Sequence, residues 1–354
     1  MKHESNRLRG FFFLIILLLT SYLSTSADAA PVKKPLSFQQ MTQKEGLSSN
    51  MVFAVVVQGE EVWFGTYEGG TTLYDKSKKH FKHYTTKGDP IIKVDDGDSI
   101  RWKNHLAYNH VSVIVPDSDR IWFGTYFYGF GGGGISYYLP QRSPQWKTFN
   151  TNDGRAKKVN SMAVDGELLW VGSEKGLSLL DKKTEGWKRF YSTQDGLSGN
   201  FINAILVQPD FLWMGTSGGV SRFNKNQKTW KTYSQKEGLT DGEIKSLVKI
   251  GQRMWAGSIG GALFEYDLAS DRWKKLEPTD PLKNGGIHAI TVTKGKTFIC
   301  RDNGVSIYDL PTGQWESLTT ADGLLSNSVF CAAEDKNGIW FGTDKGVSRL
   351  IVTP

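Results

Sequence analysis

One short motif returns along the whole chain. VWFGT (62–66), IWFGT (121–125), LWVGS (169–173), LWMGT (212–216), MWAGS (254–258) and IWFGT (339–343) are copies of it, and TFICR (297–301) is a degenerate seventh. The anchors Trp63, Trp122, Trp170, Trp213, Trp255, Phe298 and Trp340 are spaced by 59, 48, 43, 42, 43 and 42 residues. A period of about 40–45 residues is the size of one four-stranded propeller blade.

The flanks of the motif align as well. Thirteen residues before the anchors stand Asn50, Asn109, Lys157, Asn200, Gly242, Gly285 and Asn327. Two residues on come Val52, Val111, Val159, Ile202, Ile244, Ile287 and Val329, all β-branched as a strand prefers. Two further on, the residue is small or medium in every copy: Ala54, Val113, Ser161, Ala204, Ser246, Ala289 and Cys331. A first strand crowded against a central axis needs that. Strands such as TTLYD (71–75) and VSIYD (305–309) follow a glycine turn, and a fourth strand then opens with an aromatic residue. Short strands separated by turn residues at regular spacing specify sheet rather than helix.

The repeats also close on themselves. The last copy stops at VSRLIVTP (347–354), after its third strand, while SFQQMTQKEGLSSN (37–50) matches a fourth strand and its following turn. The expected fold is all-β: a seven-bladed β-propeller closed by the N-terminal strand pairing into the last blade. Such closure removes exposed sheet edges. The Trp, Gly and aliphatic positions are core residues in this reading.

The repeat resembles the two-component regulator propeller repeat. The pattern DGLSxN, an aliphatic strand, LWxGTxxGL and a YD strand is carried well by residues 46–75 and 196–224. The resemblance runs from about Ser37 to Val352. In that family, tandem repeats form large periplasmic propellers that sense ligands, often glycans, for hybrid histidine kinases. This chain is expected to hold one ring, without the transmembrane segment and kinase. The resemblance therefore implies a sensing role exercised through another protein.

Residues 1–29 read as a signal peptide and residues 30–354 as a single propeller domain. Lys2, Arg7 and Arg9 precede the apolar run Phe11 to Leu19, and Ala27-Asp28-Ala29 ends the segment. This is the charged, apolar and small-residue order of a secretory signal. The run is too short for the ~20 residues of a spanning helix. Cleavage after Ala29 would deliver the protein to the periplasm or the medium, with no membrane span left. The net charge of +7 falls to +6 when Lys2, Glu4, Arg7, Arg9 and Asp28 leave. That is a solubilising excess, and nucleic acid is not an expected partner. The two cysteines, Cys300 and Cys331, fall in adjacent blades. Two cysteines are too few for a disulfide scaffold; a single bond or two buried thiols both suit the positions.

A ligand site is expected on one face of the ring. The two long spacings place insertions near Asp89 to His110 and Tyr126 to Gly134, both on blade 2 and both on the face where blades are joined. Insertions on one face of a repeat array mark its binding face. The candidate ligand-binding residues are Tyr67, Trp102, Tyr108, His110, Tyr126, Phe127, Tyr128, Phe130, Glu243, His288 and Arg301. Aromatic faces stack on sugar rings or peptide side chains. A loop that plugs its own ring is the competing reading. No catalytic constellation, no metal site and no cofactor is assigned. Gly131–Gly134 lacks the Lys-Ser/Thr of a phosphate loop, and Asp95–Asp98 lacks the final Glu of a calcium loop. The sequence thus points to an exported, non-enzymatic propeller, a monomer that binds a glycan, a peptide or an envelope protein. Two alternatives stand beside it. One is a metal-dependent lyase or hydrolase using His110, Glu243 and His288 in the central funnel. The other is a scaffold within an envelope complex.

Overall fold

A computed structural model describes residues 36–86, 92–93, 100–101, 105–126, 133–142, 145–149, 156–282 and 284–352. Seven four-stranded antiparallel sheets make the body. Blade 1 shows the plan, with strands Val52–Gln58, Glu61–Thr66, Thr71–Asp75 and His80–Tyr84 in consecutive order. The first strands of neighbouring blades touch in an unbroken cycle, and the contact between Val329–Asp335 of blade 7 and Val52–Gln58 of blade 1 completes it. The ring of seven blades is closed as the repeat count demands. Within the insertion before blade 2, Ile92–Lys93 pairs with Ile100–Arg101.

The closing strand is Ser37–Met41, which pairs antiparallel with Val347–Ile351, so that Phe38 faces Leu350 and Met41 faces Val347. Blade 7 is therefore built from both ends of the described chain. Phe38 also packs on Gly323 of the turn that leads into blade 7. That turn shows why the DGL pattern recurs. Gly323 has φ +116°, a left-handed value that favours glycine. Asp322 accepts hydrogen bonds from the Thr319 backbone N–H and hydroxyl, and Asn327 accepts one from Thr320. Leu324 is then buried as a plug under the turn.

The glycine of each W-x-G motif sits where blades crowd. A Cβ on Gly65 would stand 2.9 Å from Val111 of blade 2, and one on Gly124 would stand 2.6 Å from Val159 of blade 3. In blade 6 the same position holds Cys300, a small side chain that is fully buried against Val329 of blade 7. Cys300 and Cys331 are unbonded thiols. Burial pushes both above the ordinary thiol value, Cys331 to about 12.

Charged staples join blades at the opposite end of the ring from the joining turns. The Trp340 indole donates to Asp335, which also accepts from Lys76 of blade 1 at 2.9 Å and from Arg349 at 3.0 Å. Trp122, Asp117 and Lys182 repeat the arrangement between blades 2 and 3, and Trp170, Asp165 and Lys225 between blades 3 and 4. Burial pushes the Asp335 carboxyl up, but Lys76, Trp340 and Arg349 outweigh it and hold it below the ordinary carboxylate value. A carboxyl held low stabilises the fold above its unfolded pKa and ceases to do so as pH falls through its folded pKa. Asp335→Asn leaves Lys76 and Arg349 without their charge partner. It should cost about 3 kcal/mol at pH 7. Urea unfolding at pH 7 and at pH 3 checks this: the gap between the two proteins must shrink in acid.

Candidate functional site

The mouth of the ring is built by a defect repeated in every blade. Each first strand carries a register shift against the second, between Val52 and Ala54 in blade 1 and at the matching place in the other six. One extra residue then stands outside the ladder and is free to turn toward a site. The seven extra residues are Phe53, Ser112, Asn160, Asn203, Lys245, His288 and Phe330. In blades 1, 2, 4, 5, 6 and 7 the residue before the first strand accepts through its carbonyl from the residue after the second strand, as in Tyr67 N–H to Met51 O and Tyr126 N–H to His110 O, both 2.9 Å. The blade-joining turns and the turns after the second strands therefore share this end.

Blades 6, 7, 1 and 2 give the mouth an aromatic arc. His288 meets Phe330 edge-on with centroids 5.2 Å apart, and Phe330 meets Phe53 at 4.9 Å. Phe53 stacks on His110 at 5.0 Å with the planes 17° apart. Tyr67 and Tyr126 then flank His110 at 4.9 and 5.4 Å. His110 is buried, whereas Phe53, Tyr67, Tyr126, His288 and Phe330 are half-buried. Burial among these rings pushes the His110 imidazole down to about 4.

Blades 3, 4 and 5 make a polar arc. Lys158 pairs with Glu174 at 2.8 Å and lies over the Tyr126 ring at 5.7 Å. Lys245 pairs with Glu243 at 3.0 Å, donates to Asn203 and lies over the Phe201 ring at 5.7 Å. Asn203 in turn donates to Glu243 and to the Ile244 carbonyl. In blade 6, His288 shares a 2.6 Å hydrogen bond with Asp302.

The sequence-derived candidates divide on this geometry. Tyr67, His110, Tyr126 and His288 join the aromatic arc, and Glu243 the polar one. Tyr108 is half-buried on the last stretch of the blade-2 insertion, where Leu106 is fully buried and Ala107 donates to Ser136. That stretch docks as the regular turns do. Trp102, Phe127, Tyr128 and Phe130 lie outside the described residues. His110, Glu243 and His288 keep separate partners, and among the described residues no three His, Cys, Asp or Glu side chains converge on a metal position.

Arg301 is a correction. It is completely buried, not presented to the mouth. Its Nε donates to Ser306, and its Nη1 donates to the carbonyls of Gly285 at 2.7 Å and Gly261 at 3.2 Å. The other blades hold Thr or Ser at this place, and Thr66, Thr125, Ser173, Thr216, Ser258 and Thr343 each bond a carbonyl of the next turn. Arg301 instead reaches back to Gly285 of the turn entering blade 6 and to Gly261 of the turn after the second strand of blade 5, so that it ties these two blades together. Sequence reasoning missed Phe53, Phe330, Asn203 and Lys245. Their signal is the position between the uniformly β-branched and uniformly small residues, where the repeats disagree.

Two measurements test these environments. Arg301→Met removes the clamp and should lower stability by about 3 kcal/mol in urea unfolding. His110 should stay neutral to near pH 4 in an NMR titration. Its depressed pKa means that stability falls as pH drops from the unfolded value of about 6.5 toward 4, because the unfolded chain takes up the proton first.

The fold and its mouth can be set beside known proteins. The two component regulator propeller family matches residues 323–345, which run from the turn into blade 7 through its second strand. No curated protein matches the chain in sequence. Among solved structures, the extracellular domain assigned to a hybrid two component system of B. thetaiotaomicron is 20% identical, with TM-score 0.72 over 90% of this chain and 42% of that one. A second B. thetaiotaomicron extracellular domain, assigned to a one component system, is 20% identical, with TM-score 0.67 over 88% of this chain and 39% of that one. The chain thus spans about two fifths of each. A streptogramin B lyase is 12% identical, with TM-score 0.68 over 90% of this chain and 98% of that one. At such identities the likeness is one of fold. The chain is a seven-bladed β-propeller whose blade 7 carries a match to the two component regulator propeller family.

Proposed function

We propose that this is an exported, non-enzymatic propeller that binds a glycan, a peptide or an envelope protein at its mouth and serves as an accessory sensor through a separate signalling partner. The observation that carries the reading is the aromatic arc. Half-buried rings are brought together from four blades at the end of the ring where the joining turns gather. Half-buried aromatic surface with polar groups across from it is the composition of a binding site. The two-component likeness supports a sensing use, and the leader-like residues 1–29 support export.

Glycan and peptide arrays probed with the purified protein test the binding. Tyr67→Ala and Tyr126→Ala should each weaken a captured ligand at least tenfold while the far-UV spectrum is unchanged. Capture that neither change affects moves the site elsewhere and overturns the proposal. Export has its own test. Protein recovered from the periplasm or medium should begin at Ala30, and an intact Met1 there defeats the leader reading.

A further inference from the structure

The mouth uses one arrangement twice and leaves it incomplete a third time. In blade 3 the carboxylate Glu174 holds Lys158, whose ammonium lies over the Tyr126 ring. In blade 5 Glu243 holds Lys245, whose ammonium lies over Phe201. Each is a carboxylate, a cation and an aromatic face, an arrangement that favours a positive charge from both sides. In blade 7, Asp344 follows Thr343 as Glu174 follows Ser173. The residue before the first strand there is Ser328 rather than a lysine. Asp344 Oδ1 is buried and accepts no hydrogen bond. Phe330 stands next along the same blade, joined to Phe53 and edged by His288, and Asp302 lies beyond it, exposed beside His288. Among the described residues no lysine or arginine pairs with Asp302 or Asp344. The rings and carboxylates of a cation site are present on this side; His288 serves Asp302, and among the described residues no cation serves Asp344.

We infer that the blade 6–7–1 side of the mouth takes an organic cation, an ammonium or guanidinium carried on an apolar stem, with Asp344 and Asp302 as counter-charges and Phe330, Phe53 and Tyr67 as the apolar floor. The chemistry is shared by a free amine and by a lysine or arginine side chain of a partner peptide. Neutral and acidic ligands lack the charge this side requires. The inference rests on the mouth being the binding site and names the class of ligand it holds.

Titration followed by NMR tests it with N-acetyl-lysine methylamide, its uncharged norleucine counterpart and n-butylamine. The lysine probe should bind at least tenfold more tightly than the norleucine probe. Asp344→Asn should weaken it at least fivefold, and Phe330→Leu, which keeps an apolar group in place, at least threefold. Asp210→Asn, at the opposite end of the ring, should change nothing. Binding of n-butylamine as well assigns small amines as sufficient, and binding of the lysine probe alone assigns a peptide. Equal binding of the charged and neutral probes, no binding of either cation, or indifference to Asp344→Asn overturns the inference. If an array ligand without a cation is still lost with Tyr67→Ala, the mouth remains a binding site and only the cation assignment falls.

Discussion

Seven flat sheets set on edge around an axis must crowd at their inner ends, and that crowding governs the rest of the structure. The W-x-G glycine and the small residue opposite it are what let adjacent blades approach. A Cβ on Gly172 would stand 2.7 Å from Ile202 of blade 4, and one on Gly257 would stand 2.5 Å from Ile287 of blade 6. Real side chains do not tolerate such distances in a close-packed interior. The anchor tryptophans are the outward counterpart of the same constraint. The space between sheets widens away from the axis, and Trp63, Trp122, Trp255 and Trp340 fill it as the largest fully buried side chains. Small residues inside and large ones outside give each blade the wedge shape that seven copies need to make a circle.

A circle of wedges has one seam, and backbone and side chains both protect it. The latch Ser37–Met41 supplies the missing fourth strand of blade 7, and the Lys76–Asp335 pair ties blade 7 to blade 1. The latch acts on the backbone ladder and the pair acts through charge. Acid therefore attacks the second and leaves the first. The same staple at the junctions of blades 2 with 3 and 3 with 4 joins sheets whose strands are all consecutive in the chain, and there it adds stiffness. At the 7–1 junction it joins the C-terminal strands of blade 7 to blade 1 and so opposes opening of the latch.

Much of this was legible in the sequence because a repeat reports each structural demand seven times. The blade count, the order of strands and the latch all follow from positions where the copies agree. What agreement cannot show is what a single copy does alone. Arg301 looked like a charged loop residue because it departs from the Thr or Ser of its fellows. The fold instead buries it and directs its guanidinium to the carbonyls of two turns, Gly285 on the way into blade 6 and Gly261 within blade 5. The register shifts were hidden for a different reason. A shift inserts no residue into the spacing between Trp anchors when every copy carries it, so periodicity is blind to it. Phe53 and Phe330 therefore read as ordinary strand residues, although the structure turns them to the mouth.

The shift also explains how a uniform framework holds an uneven site. Residues inside the ladder answer to the neighbouring blade and must be β-branched or small. The extra residue answers to no ladder partner, so its chemistry is unconstrained by the fold. Phe, Ser, Asn, Asn, Lys, His and Phe occupy it in the seven blades with no change in the strands around them. The aromatic and polar arcs are thus a property of one position per blade and its immediate neighbours. Substitution there should alter recognition far more than stability, which is the reverse of what Gly65 or Trp340 would do. Phe53 is the hardest case for this rule, because it is packed between His110 and Phe330. Its removal uncovers His110, lets water reach the imidazole and raises the pKa that burial now depresses. Stability and recognition are coupled at that one side chain, and the protonation of His110 is the quantity through which the coupling acts.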